Sequence, residues 1–321
     1  MKNIESTAKD IEEKLEKGDF FYKHKNLLIC GENADGKTTL IKGIVRKCRD
    51  KSINVYYINP LNRQICDPDN DAVLKKLDKL TIEKIVSDRL ETNQDIFEKR
   101  ISGPIVVYNE IYDNIEKYNN LYWDFFGITI ASEDNESETV NMPEIIVNNK
   151  TEIYEVASSQ AARMRILLEI DYAVGKGVKA IVIDEFDEFL SDNTTAKFLN
   201  KLIEYYENIM FIVSVQALQV ILQLDDFDVA LICNSGTDSV KDNKVRFYDS
   251  SSISEIGHID KLGELLGRVD QVNELEELVA RVVDTGKYNS ADIEFIGAIE
   301  RHSLSGREKI LFDYVSRMMM L

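Results

Sequence analysis

Gly31-Glu32-Asn33-Ala34-Asp35-Gly36-Lys37-Thr38-Thr39 has the spacing G-x-x-x-x-G-K-T. These residue types in this order suit one kind of chemistry. The two glycines let the backbone wrap closely around an anion, and successive N–H groups aimed inward supply positive potential. A lysine after the second glycine reaches the β- and γ-phosphates, and the hydroxyl that follows it ligates Mg²⁺. The flanks agree: Leu27-Leu28-Ile29-Cys30 is an apolar run of strand type, and Ile41, Ile44 and Val45 follow at helical spacing. Strand, phosphate loop and helix in that order imply that residues 31–39 bind a nucleoside triphosphate. Lys37 would face the terminal phosphates and Thr38 the metal.

A second acidic pair fits the same chemistry. Lys179-Ala180-Ile181-Val182-Ile183-Asp184-Glu185 is a β-branched run ending in two carboxylates. Such a run suits a central parallel strand covered on both faces, which delivers its carboxyl-terminal residues to the ligand crevice of an α/β sheet. Asp184 would hold the Mg²⁺ shell, the Walker B role. Glu185 would orient or deprotonate an attacking water. The acidic run continues through Asp187 and Glu188, which read as a solvated helix start rather than as catalytic groups.

The elements that must position these residues follow from periodicity. Residues 4–17 form an amphipathic pattern with Ile4, Ile11 and Leu15 among charged neighbours. Residues 53–58 read as a second strand closed by Asn59-Pro60. Residues 70–125 are charged and helix-favouring, with Leu74, Leu77, Leu80, Ile85 and Val86 as apolar points and no sustained heptads. Residues 127–131 and 144–147 read as short strands, with a solvated loop at 133–138 between them. A helix is expected over 160–173. Residues 209–213 read as a core strand running through a polar turn into a helix. Residues 227–233 and 244–248 read as further strands, and the chain beyond 253 as helical. The fold class expected is α/β: a P-loop NTPase with a mainly parallel central sheet, a helical insert and a C-terminal helical region. The domains expected are a P-loop ATPase domain at 1–252, with its insert at about 66–125, and a helical subdomain at 253–321.

Composition narrows the partners. The 321 residues include 57 acidic and 39 basic side chains, a net charge of −18. That balance disfavours broad attraction to phosphate backbones, so nucleic acid would need a local basic groove or a basic partner. Cys30, Cys48, Cys66 and Cys233 show no C-x-x-C pairing, and His24, His258 and His302 are scattered. No zinc spacing or disulfide framework emerges, which fits a reducing cytoplasm. Residues 1–20 are charged and helical rather than a signal peptide. The uncharged stretch 208–224 holds too many amides and is too short for a membrane span.

Two further segments carry a family resemblance. Val156-Ala157-Ser158-Ser159-Gln160-Ala161-Ala162-Arg163 resembles the signature of ABC-class ATPases, a small-residue turn opening a helix shortly before the Walker B strand. Ser158 and Ser159 are good helix-capping types. The resemblance implies that Ser158, Ser159 and Gln160 contact the γ-phosphate of nucleotide held by an opposite subunit. The family's signature glycine is Gln160 here, and Gln216, after Ile212-Val213-Ser214-Val215, stands where the family carries a switch histidine. An amide can hydrogen-bond a phosphate but carries no charge. The whole is most similar to compact ABC-like ATPases related to structural-maintenance-of-chromosomes (SMC) heads and overcoming-lysogenization-defect nucleases, over about residues 25–235. Leu304-Ser305-Gly306-Arg307-Glu308-Lys309 looks like the signature by letters but follows Walker B. Ser305-x-x-Glu308 there reads as a capping box.

The resemblance implies an ATP- and Mg²⁺-dependent ATPase with Lys37, Glu185 and Gln216 in catalytic roles. It would dimerise, or form a larger even-numbered assembly, on ATP and drive or gate a protein effector in DNA maintenance or phage defence. Two alternatives stay open. One is an AAA+-like ring with residues 253–321 as its lid and Arg163, Arg268, Arg281 or Arg301 as a finger acting in trans. The other is a nucleotide-dependent interaction module with negligible turnover. No membrane-coupling segment favours a transporter.

Overall fold

The computed structural model describes residues 2–31, 36–59, 81–91, 103–133, 144–216, 218–224, 226–234 and 243–249. Toward the C-terminus it describes 278–279, 281–282, 288–298, 312–313, 315–316 and 319. Of the sequence expectations, Glu32 to Asp35, Leu74, Leu77, Leu80, Arg268, Arg301 and the Ser305–Glu308 capping box lie outside these residues.

Strands rich in Ile, Val and Leu assemble the central sheet. Its order is β1 (Lys2–Asn3), β10 (Asn243–Asp249), β9 (Phe227–Asn234), β2 (Asn26–Cys30), β8 (Met210–Val215), β7 (Ala180–Ile183), β3 (Val55–Ile58). The run β9-β2-β8-β7-β3 is parallel throughout, and only β10 and β1 join antiparallel at one edge. Every residue of β2, β3, β7 and β8 is buried, as a sheet covered on both faces requires. A smaller antiparallel sheet, β4 (Ile130–Glu133), β5 (Glu144–Val147) and β6 (Thr151–Glu152), stands apart from it.

The helices follow their apolar spacing. α1 (Ile4–Lys17) buries Ala8, Ile11 and Leu15; Asn3 caps its start and Gly18, at φ 70°, ends it. It packs on α2 (Lys37–Asp50), where a Cβ at Gly43 would meet that of Ala8 at 3.4 Å. Lys51 ties the two helices by bridging Glu12 and Glu16, each at 2.8 Å. The insert supplies α3 (Ile82–Glu91), α4 (Gly103–Asp113) and α5 (Ile115–Phe126). α6 (Ser158–Gly175) and α7 (Asp192–Tyr205) flank β7 in sequence. The loop before β2 is fixed from β9: the fully buried Asp228 carboxylate accepts the backbone N–H groups of Tyr22, Lys23 and His24.

Three local readings need correction. Gly127 is not in a strand; it closes α5 in the left-handed conformation at φ 65°, so β4 starts later, at Ile130, and takes in Glu133. The turn after β8 leads into a 3₁₀ segment, Leu218–Gln223, not an α-helix. Ser158 and Ser159 do not cap α6. They occupy its first turn, Ala157 stands at the N-cap position, and no side chain caps the helix.

The chain divides into two compact units, Met1–Glu255 and Ile256–Leu321. Within the second, a helix at Ser290–Ala298 is capped reciprocally by Asn289 and Asp292. Leu278, Val282, Ile296, Val315 and Met319 form its core. Among the described residues no helix is long and apolar enough to cross a membrane.

Candidate functional site

Strand order decides what meets what. β8 lies between β2 and β7, all parallel, with Cys30 paired to Val215 and Ile183 to Val213. One residue further on, Gly31 stands abreast of Gln216, and Asp184 abreast of Ser214. Two inter-strand steps of about 4.8 Å separate the ends of β2 and β7 by roughly 10 Å. Three chain segments that are distant in sequence therefore open at one sheet end, the crevice where parallel α/β sheets hold ligands.

On the β2 side, Gly36 takes φ 95°, ψ 22° at the N-cap of α2, a conformation that strains any residue with a Cβ. The Lys37 side chain is 6% exposed, and its Nζ donates to the Gly31 carbonyl at 2.8 Å, spanning the base of the loop. Thr38 is half-buried and Thr39 exposed. The first turn of α2 carries no acidic side chain, which reserves the positive helix end for an external anion.

On the β7 side, Asp184 is fully buried. The Ser214 hydroxyl donates to its Oδ1 at 2.5 Å and accepts the Glu185 N–H at 2.8 Å. The Asp184 N–H donates to Ile58 O at 3.0 Å, and that of Phe186 to Ser214 O at 2.9 Å. Glu185 sits at φ 49° and Phe189 at φ 66°, both in the left-handed region. A residue with a Cβ held there is strained and persists only where its surroundings fix it. Asp187 and Glu188 do not begin a helix. They lie half-buried in a turn, and α7 starts at Asp192 behind its cap Ser191. Asp187 Oδ2 accepts the Gln216 N–H at 2.8 Å.

Cys30 reports on this neighbourhood. Burial pushes its thiol well above the ordinary range, the Asp187 charge pushes it further, and Lys37 opposes. The thiol is thus an inert core group, and Asp187 and Lys37 both lie within electrostatic reach of it. Lys37 thus stands at the β2 side of this sheet end, and Asp184, Glu185 and Asp187 at the side of β7 and β8. Thr38 and Asp184 supply hard oxygen donors of the kind Mg²⁺ takes, and Mg²⁺ commonly uses one or two protein oxygens with phosphate and water completing its shell. Among the described residues no group of three or more His, Cys, Asp or Glu is arranged to hold a metal alone.

Not every sequence candidate joins this cluster. Ser158 is exposed, and Ser159 and Gln160 are half-buried, at the start of α6 and outside the hydrogen bonds around Asp184. Arg163 lies over the Phe126 ring at 5.0 Å and donates to Ser159 O at 3.3 Å. Arg281 pairs with Asp292 at 2.5 Å within the second unit. Conversely, sequence reasoning assigns Ser214 no role and reads Asp187 as a helix start rather than as the turn residue it is. The available signal was a lone hydroxyl inside the apolar run Met210-Phe211-Ile212-Val213-Ser214-Val215.

No protein family matches the chain, and no curated protein matches it. Solved structures do. One is cbiO1 from Clostridium perfringens, part of the ABC transporter complex cbiONQ, at 14% identity and TM-score 0.37, over 79% of this chain and 88% of that one. A structure from work on ATP-driven dimerisation of SMC ATPases matches at 17% identity and TM-score 0.33, over 47% of this chain and 92% of that one. An SMC head bound to the C-winged helix domain of ScpA matches at 17% identity and TM-score 0.31, over 46% of this chain and 47% of that one. ABC cassettes and SMC heads are thus among the structures this chain is similar to. Likenesses of this size carry no argument beyond that, and the mixed α/β class rests on the sheet itself.

Proposed function

We propose that this protein binds ATP with Mg²⁺ at the end of β2, β8 and β7 and hydrolyses it. One observation supports the reading: in the parallel order β2-β8-β7, the strands that lead to Lys37, Gln216 and the Asp184–Glu185 pair end side by side. The backbone of residues 31–39 would cradle the phosphates, Lys37 would turn from the Gly31 carbonyl to the terminal phosphates, and Thr38 with Asp184 would hold the metal. Mg²⁺ would supply charge neutralisation of the β- and γ-oxygens. Glu185 would accept a proton from the attacking water, and Gln216 would hydrogen-bond the γ-phosphate without adding charge. Slow turnover, or turnover licensed by a partner, follows from that missing charge.

The finer reading is an ABC-like engine of two domains, residues 1–252 and 253–321. Two copies would close on ATP, each presenting Ser158, Ser159 and Gln160 to the other's nucleotide, and the cycle would drive or gate a protein effector. Exposure of Ser158 at the start of α6 supports this, since a residue acting in trans must stand at the surface.

Lys37→Ala tests the binding site. Saturating ATP should stabilise the wild type by a few kcal/mol through linkage, roughly 2.7 at a hundredfold excess over Kd, and the variant not at all. An undiminished ATP-dependent melting shift in the variant would remove the phosphate-loop assignment. Light scattering on Glu185→Gln tests assembly. A two-fold dimer formed on ATP and broken by Ser158→Arg supports the ABC-like reading; a ring supports the AAA+-like one.

A further inference from the structure

We propose that Ser214 is a positioning residue for this reaction, its hydroxyl locking Glu185 against Asp184. The inference rests on the ATPase reading above. One oxygen serves both neighbours: it donates its only proton to Asp184 Oδ1 at 2.5 Å and accepts the Glu185 N–H at 2.8 Å. A hydroxyl that has given its proton to a carboxylate keeps its lone pairs for an N–H donor, so the two bonds are mutually consistent. Ser214 is fully buried, as is Asp184, so water does not substitute readily for either partner.

The backbone supplies the second observation. Glu185 is held at φ 49°, a conformation an L residue leaves unless something fixes it. Two bonds from one residue hold this corner: the Ser214 hydroxyl takes the Glu185 N–H, and the Ser214 carbonyl takes the Phe186 N–H at 2.9 Å. The side chain therefore decides the orientation of the peptide carrying Glu185, while the main chain holds the next one. Because Asp184 lies on the same hydroxyl, the metal-facing and water-facing carboxylates are set by one atom of the intervening strand. Alanine at 214 removes that coupling and leaves the Phe186 bond in place. Threonine restores the hydroxyl on a side chain suited to a strand.

Amide hydrogen exchange of the nucleotide-free protein tests the anchor without ATP. In Ser214→Ala, exchange at Glu185 should rise roughly tenfold while exchange at Phe186 stays near wild type. Unchanged exchange at Glu185 would overturn the proposal. A rise at both amides would mean that β8 itself has loosened, and would overturn it too. Steady-state turnover is the second arm. Ser214→Ala should lower kcat roughly ten- to a hundredfold, with KM for MgATP and the ATP-dependent melting shift near wild type, and Ser214→Thr should recover most of kcat. Faster exchange at Glu185 with unaltered kcat would overturn the positioning role. A wild-type protein that never hydrolyses ATP would sink the ATPase reading instead, and the exchange contrast would still decide the anchor.

Discussion

Two of the places where the main unit buries charge do so in opposite ways. Beneath the insert, Arg89 of α3 and Arg165 and Glu169 of α6 are buried together beside Tyr56 of β3. Glu169 takes Arg89 Nη2 at 2.8 Å, the Tyr56 hydroxyl at 3.0 Å and Arg165 Nε at 3.2 Å. Arg89 also donates to Tyr57 O and lies over the Tyr56 ring at 5.3 Å. At the sheet end, Asp184 bonds Ser214 and Asp187 bonds Gln216 on one side, Lys37 reaches the Gly31 carbonyl on the other, and Glu185 and Phe189 take strained left-handed backbone. In the first cluster two guanidiniums surround one carboxylate, and the bonds join the insert to the sheet. In the second, three carboxylates and one lysine gather where β2, β8 and β7 end. Burial of ionisable groups therefore does not by itself mark a working site. Ionisable groups gathered on backbone held away from its relaxed conformation are the better guide to a candidate site.

The comparison can be broken most sharply by turnover. Glu185→Gln should retain the ATP-dependent melting shift and lose about 10²–10⁴-fold in hydrolysis, because an amide does not take up the water's proton. Glu169→Gln should leave the melting shift intact. Hydrolysis at the wild-type rate in Glu185→Gln would erase the distinction between the two clusters.

Stability reverses the ranking. Removing the carboxylate that both guanidiniums share leaves two buried positive charges uncompensated, so Glu169→Ala should cost about 3–5 kcal/mol in denaturant unfolding. Gln216→Ala, at the exposed end of β8, should cost less than about 0.5 kcal/mol. Equal costs would mean that the sheet end is as closed as the insert cluster.

Acid titration sharpens the same contrast. Burial works to raise the Glu169 carboxyl, but the charges of Arg89 and Arg165 outweigh it, and hydrogen bonds from Arg89 and Tyr56 add to them, so it stays below the ordinary range. A carboxyl lowered in the native state contributes stability above its unfolded pKa, and that contribution disappears as pH falls through the lowered native value. Below about pH 4.3 the melting temperature of the wild type should therefore fall more steeply than that of Glu169→Gln. Parallel acid limbs would show that Glu169 is not the titrating member.

A modest effect lies beside the site without belonging to it. Ser191 caps α7 directly after the strained turn, its hydroxyl accepting the Thr194 N–H at 3.4 Å. Ser191→Ala should cost about 1 kcal/mol of stability and leave kcat unchanged, as measured by melting and turnover together.

Local physics made much of this molecule legible in the residues alone. α1 and β5 fall where periodicity places them, at Ile4–Lys17 and Glu144–Val147, because each has one strong apolar pattern bounded by polar or charged neighbours. The phosphate-loop strand and the acidic strand were legible for the same reason, and Gly36 because only glycine sits comfortably at φ 95°. Less legible were elements whose conformation depends on a distant partner. Gly127 had the look of a strand residue until α5 needed a left-handed end. Asp187 resembled a helix start until the Gln216 N–H claimed its carboxylate.

Sequence by itself singled out the candidate phosphate- and metal-binding residues, since that expectation rests on side-chain types and short spacings. It also determined that the sheet would be mainly parallel and buried. Only tertiary structure decided that β8 stands between β2 and β7, and hence that the Ser214 hydroxyl bonds both Asp184 and Glu185. Strand order is a long-range choice, made by packing whole elements. No local pattern in Met210–Val215 records which strands will lie on either side of it.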